Sequence, residues 1–183
     1  MDADRLRRGT QADQAHLHRR FRVLSARLQD RAVSGGRSTM TYTIAVRGEA
    51  IYGGLVVPRV RPSFKVSNSD LIEFLKDRLR DRDAGEELMY TVYVPDPAGN
   101  YNAMVCFEYA EPGLVPVGDL LVRVPKGVYA RFAPNGDYHD PVEDVWAQVD
   151  DATASAEITR AYREEIEVWR GRDQVELYIS ILV

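Results

Sequence analysis

Hydrophobic and polar positions alternate strictly at the end of the chain. Val175, Leu177, Ile179 and Ile181 fall on one face of the last run, and Glu176, Tyr178 and Ser180 on the other. In the run before it, Ile166 and Val168 alternate with Glu165, Glu167 and Trp169. Arg170-Gly171-Arg172-Asp173 is a short polar turn between them, so the segment predicts a β-hairpin. Each strand is expected to turn its aliphatic face to the helices and to group Glu167, Trp169, Glu176 and Tyr178 on the opposite face. A lone Glu on a strand usually marks a solvated surface. Here a Glu-x-aromatic pattern occurs on both neighbouring strands, and a carboxylate among rings suits an amphipathic cation.

Upstream the period changes from 2 to 3.6. Leu71, Phe74, Leu75 and Leu79 form one apolar stripe, and Val142, Val145, Trp146 and Val149 another, predicting two amphipathic helices. Trp146, on such a stripe, is expected in the core. Asp70-Leu71-Ile72-Glu73 recurs as Asp140-Pro141-Val142-Glu143, and Gly48-Glu49-Ala50-Ile51 as Gly118-Asp119-Leu120-Leu121, both at a shift of 70 residues. Asp with Glu three residues on resembles a capping box, and Pro141 suits the first helical position.

Strand-like runs cover Tyr42–Val46, Ile51–Val57, Leu88–Val94, Asn102–Ala110, Leu120–Val124 and Val128–Phe132, with Pro95 to Asn100 as a turn. The order is strand, helix, strand, strand, twice over, with halves at 41–112 and 118–183. The predicted class is α+β: two antiparallel sheet halves with both helices on one side and a ligand cleft on the other.

Charge separates the first 39 residues from the rest. They hold nine Arg against four Asp, whereas the remainder holds 15 bases against 24 acids. The acidic part, 41–183, is a poor partner for nucleic acid. In the basic part Leu17, Phe21, Leu24 and Leu28 make a short helical seam ending near Ser34-Gly35-Gly36, a linker. It is expected to contribute little to ligand binding.

With 183 residues, 45% apolar, the chain reads as an ordinary globular protein with no membrane-length apolar run and no opening signal peptide. Cys106 is the lone cysteine, so a reducing cytoplasm is the expected location and Cys106 a small buried hydrophobe. His16, His18 and His139 do not make a metal set, and no phosphate-binding loop, nucleophile elbow or dinucleotide fingerprint is present. No cofactor or metal is expected. A monomer or weak homodimer is.

Three phrases carry a family resemblance: Val124-Pro125-Lys126-Gly127-Val128-Tyr129-Ala130-Arg131-Phe132 leading to Gly136-Asp137-Tyr138, the strand Ile166-Glu167-Val168-Trp169, and the closing Val175 to Ile181. From Thr41 to Val183 the chain resembles the GyrI-like family, which includes stand-alone small-molecule-binding proteins and the effector-binding domains of MerR-type and AraC-type multidrug-responsive regulators. The resemblance implies an acidic, aromatic cleft for bulky cationic or amphipathic compounds. It places Glu167 as the ligand-facing acid, Glu176 and Tyr178 as a last-strand pair, and Trp169 beside them.

Tyr93 is the expected aromatic contact from the first half, with Tyr90 in its place if the register slips by one. Tyr138 is expected at the rim. The leading expectation is a protein that sequesters or senses such compounds rather than an enzyme. Two alternatives follow from the same resemblance. One is a small hydrolase using Glu167 as general base, which would need burial to raise its pKa. The other is the effector domain of a regulator without its DNA-binding module, with Leu17–Leu28 as a remnant dimerisation helix.

Overall fold

The computed structural model describes residues 41–62, 69–83, 85, 88–171 and 174–183. The chain divides into two units, 1–39 and 40–183, and the described residues belong to the second. The expected Leu17–Leu28 helix lies outside the described residues, as do Arg172 and Asp173 of the final turn.

The elements run β1 (Tyr42–Arg47), β2 (Ala50–Val60), α1 (Ser69–Arg82), β3 (Leu88–Pro95), β4 (Tyr101–Tyr109), β5 (Leu120–Val124), β6 (Gly127–Phe132), α2 (Pro141–Ala154), β7 (Glu165–Arg170) and β8 (Gln174–Ser180), with a 3-10 turn at Pro112–Leu114. The fold is α+β, as expected. The strands form one open antiparallel sheet of eight in the order β1-β6-β8-β7-β3-β4-β2-β5. The duplication is visible in that order, since β3 and β7 pair at the centre and each step outward meets equivalent strands of the two halves. The outermost strands have changed places: β1 pairs with β6 of the second half, and β5 with β2 of the first.

This exchange corrects the repeat. Gly48-Glu49 links β1 to β2, whereas Gly118-Asp119 leads into β5, the counterpart of β1. The match at those two glycines therefore joins positions that are not equivalent. The helix starts correspond more closely. Asp140 caps α2 by accepting from the Val142 N–H at 2.8 Å, with Pro141 in the first turn, and Asp70 lies in the first turn of α1.

Both helices cover the same sheet face. α1 lies on β2 and β4, and α2 on β6 and β8. Ile72 and Leu79 of α1 join Val145, Trp146, Val149 and Ala152 of α2 in one core with Met89, Tyr93, Val105, Trp169, Leu177 and Ile179. Trp146 is fully buried there, as expected. The α1 stripe is rotated from the expected one: Leu71 and Phe74 are exposed, while Ile72, Lys76 and Leu79 face inward. The sequence offers two overlapping stripes around Leu75, and the inward one carries a lysine that finds partners on the sheet.

A second cluster covers the opposite sheet face, with Tyr52, Tyr90, Val92, Met104, Cys106, Tyr129, Ile166 and Val168. Among the described residues no helix is long and apolar enough to cross a membrane.

Candidate functional site

The centre of the sheet, where β3 and β7 pair, lies between the strands carrying α1 and those carrying α2. There Thr91 stands opposite Glu167, Met89 opposite Trp169 and Tyr93 opposite Glu165. Directly paired residues point to the same face, and Met89, Tyr93 and Trp169 belong to the helix-covered core. Glu167 is therefore a carboxylate on the covered face, only 1% exposed.

Among the described residues, the polar groups bonded to the Glu167 carboxylate are donors. The Tyr93 hydroxyl donates to Oε1 at 2.7 Å, and the Trp146 indole N–H to the same oxygen at 3.1 Å. The Trp169 N–H donates to Oε2 at 3.2 Å. Lys76 Nζ stands 3.9 Å from Oε2 and 3.8 Å from the centre of the Trp169 ring, and donates to Glu73 Oε1 at 2.7 Å. Burying a carboxylate is costly unless it is paired and hydrogen-bonded, and here three neutral donors and an ammonium supply those contacts. Tyr93 stacks edge-on against Trp146 at 5.7 Å. Burial, and then the Glu167 charge, push the Tyr93 hydroxyl well above the ordinary phenol range, so it stays a donor.

Two neighbours complete the site. Thr91 Oγ1 is buried without a protein hydrogen-bond partner directly across from Glu167. Such a group is a small minority in folded proteins and calls for a reason. Glu165, next along β7, is also buried, and Arg160 holds it with bonds at 3.0, 2.6 and 2.8 Å. Burial pushes Glu165 upward and Arg160 opposes it. That acid is already matched by a cation of its own.

The expected grouping of four residues on one face is not what the structure holds. Across the β7–β8 hairpin Glu167 pairs with Leu177, Trp169 with Val175, and Val168 with Glu176. Glu167 and Trp169 thus share the helix-covered face with Val175 and Leu177, whereas Glu176 and Tyr178 share the other with Ile166 and Val168. A shift of this register by one residue would reverse every side chain. The acid also lies beneath the helices, not on the side away from them.

On the far face Glu176 accepts from Arg131 Nε at 3.1 Å and Nη2 at 2.5 Å and from the Tyr178 hydroxyl at 2.9 Å. The Arg131 hydrogen bonds hold its carboxyl below the usual range. Tyr178 packs edge-on with Tyr129 and lies 4.6 Å beneath the Arg47 guanidinium. Tyr90 belongs to this face too, 5.0 Å from Tyr52, its hydroxyl pushed up to about 12 by burial and then by Glu108. Tyr93, not Tyr90, is the first-half ring beside Glu167. Tyr138 lies exposed in the loop before α2, where its N–H reaches Asp144 at 3.4 Å, and it does not join Glu167.

Lys76, Trp146 and Thr91 were not assigned to the site from sequence. Lys76 had one readable sign, a charge within an inward helical stripe four residues after Ile72 and three before Leu79. Among the described residues no cluster of His, Cys, Asp and Glu could hold a metal. A pocket of about 140 Å³ beside β1, lined by Thr41, Tyr42, Thr43, Arg131 and Ala133, includes none of the groups around Glu167. It falls short of the roughly 300 Å³ at which drug-sized ligand sites begin.

Residues 66–181 match the family described as Cass2, integron-associated effector binding protein. No curated protein sequence matches the chain. Among solved structures, an integron cassette protein of Vibrio cholerae is 20% identical, with 78% of this chain and 96% of that one covered and a TM-score of 0.60. The protein SAV2435, solved bound to tetraphenylphosphonium, is 11% identical over 78% and 94% of the two chains, with a TM-score of 0.59. The EcmrR C-terminal domain is 12% identical over 78% and 99%, with a TM-score of 0.50. The eight-stranded antiparallel sheet with two helices is the fold shared with these GyrI-like domains.

Proposed function

The chain belongs to the Cass2 family of integron-associated effector binding proteins, and from that premise we propose that its effector is a bulky, aryl-rich organic cation, bound on the helix-covered face of β3 and β7 with Glu167 as counter-ion. The observation that carries this reading is a buried carboxylate with three aromatic donors around it and an ammonium already stacked on one of their rings. A carboxylate in such surroundings attracts charge at reduced dielectric, and the Trp169 face adds cation–π attraction. A large delocalised cation sheds its hydration at low cost, so the desolvation penalty does not cancel the gain. The tetraphenylphosphonium bound by SAV2435 is a ligand of this class, which supports the choice of probe.

Binding fits this geometry better than hydrolysis. Both Glu167 oxygens accept from protein donors, so the carboxylate is placed to hold a charge rather than to take a proton from water. The cytoplasm remains the proposed location and the 41–183 unit the proposed ligand-binding domain, with no role for nucleic acid. The test is calorimetric titration with tetraphenylphosphonium and with neutral triphenylphosphine oxide. Glu167→Gln should weaken binding of the cation by about 1–3 kcal/mol, the scale of a charge-assisted contact, and leave the neutral compound nearly unaffected. Equal affinity of parent and variant for the cation removes Glu167 from the role.

A further inference from the structure

Lys76 occupies the position in which an organic cation would be held. Its ammonium lies 3.8 Å over the Trp169 ring, 2.7 Å from Glu73 and 3.9 Å from Glu167, and the residue is 2% exposed. Lysine is seldom buried to this degree unless paired. A ring face covered at 3.8 Å has no room for a second cation on that side, so Lys76 and a ligand stacked on Trp169 exclude each other.

We propose that Lys76 is a tethered occupant of the cation site and thereby a specificity-determining residue. The inference rests on the reading of Glu167 as the ligand's counter-ion. A ligand must displace an ammonium that is always present at high effective concentration. Small, strongly hydrated ammonium ions offer the same charge with nothing to offset that competition, whereas aryl cations also bury ring surface against Trp146, Trp169 and Tyr93. The site is thus biased toward large lipophilic cations. Glu73 gives the displaced ammonium a destination. It is bonded to Lys76 from one helical turn earlier, and its side chain is 57% exposed, so the pair can move to solvent together.

Two measurements on the full chain test this. In titration with tetraphenylphosphonium, Lys76→Met, which keeps an apolar stem and removes the charge, should bind at least about tenfold more tightly than the parent, because the competent fraction of sites rises. In the unaltered protein, lysine acetylation followed by peptide mass analysis should find Lys76 protected relative to exposed Lys126. At saturating tetraphenylphosphonium its modification should accelerate at least about tenfold, as the ammonium leaves a closed environment for an open one. Should Lys76→Met fold poorly, the acetylation measurement still decides. If Lys76 stays protected at saturation, or a folded Lys76→Met binds no more tightly, the occupant role is overturned. Loss of binding in Glu167→Gln alongside indifference to Lys76→Met overturns the Lys76 proposal alone, and no binding by parent or Lys76→Met overturns both.

Discussion

Trp146 of α2 and Trp169 of β7 direct their indole N–H groups at different oxygens of one carboxylate, at 3.1 and 3.2 Å. A helix and the sheet beneath it are thereby tied through Glu167, and the Tyr93 hydroxyl adds a third connection from β3. The same bonds that hold the charge in place also hold the layers together.

Tyr93→Phe removes one of those bonds while keeping the ring and its contact with Trp146. Urea denaturation should show a loss of about 1–3 kcal/mol, the range for a buried hydrogen bond to a charged acceptor. In a Glu167→Gln background the loss should shrink, and the double-mutant cycle measures the coupling. Additive effects would place the value of the Tyr93 hydroxyl elsewhere.

Glu176→Gln separates the two sheet faces. Its partners are Arg131 and Tyr178, none of them shared with Glu167. Tetraphenylphosphonium affinity should stay within about twofold of the parent, and stability should fall by no more than about 1 kcal/mol, as for a partly exposed ion pair. A loss of cation binding equal to that of Glu167→Gln would assign the counter-ion to the wrong face.

Asp144 is expected to set part of the acid stability. Burial alone would raise its pKa, but bonds from Gln148 and from the N–H groups of Asn135, Gly136 and Tyr138 outweigh burial and hold it below the ordinary value. A depressed carboxylate contributes stability that is fully present above the unfolded value, near about 3.9, and lost as pH falls through the folded one. Thermal melts from about pH 6 to 2 should therefore decline less steeply for Asp144→Asn than for the parent below about pH 4. The variant should also be less stable near neutral pH, since Asn cannot accept as many bonds. Parallel acid limbs would remove Asp144 from the titration.

Much of the fold was legible because local patterns agreed with one another. Alternation in Val175–Ile181, the apolar spacing of Val142–Val149 and the Asp140-Pro141 cap each name an element without tertiary information. Faces were harder. Alternation shows that Glu167 and Val168 point opposite ways, but not which of them meets a helix, and it cannot align Glu167 with Leu177 rather than Glu176 across a turn. That alignment depends on the hairpin register, a property of two strands together. The inward turn of Lys76 was hidden for a similar reason, because its partners Trp169 and Glu167 arrive from a strand some ninety residues later. Glu167 itself was found through resemblance and pattern, and its donors only through packing.

The exchange of outer strands also bears on how the domain is made and lost. Tyr42 pairs with Phe132, and Ala50 with Val124, so each half completes its sheet with a strand encoded in the other. A fragment ending near residue 112 would keep β3-β4-β2 but lose β7 beside β3 and β5 beside β2, exposing bare backbone along both edges, and would leave β1 without its partner β6. Melting should accordingly be a single event without a half-folded stage, and the assembly of β1 on β6 must wait until Phe132, well into the second half, has been made. The two halves are therefore one cooperative object, since neither can stand as a separate domain while its outer strand is supplied by the other.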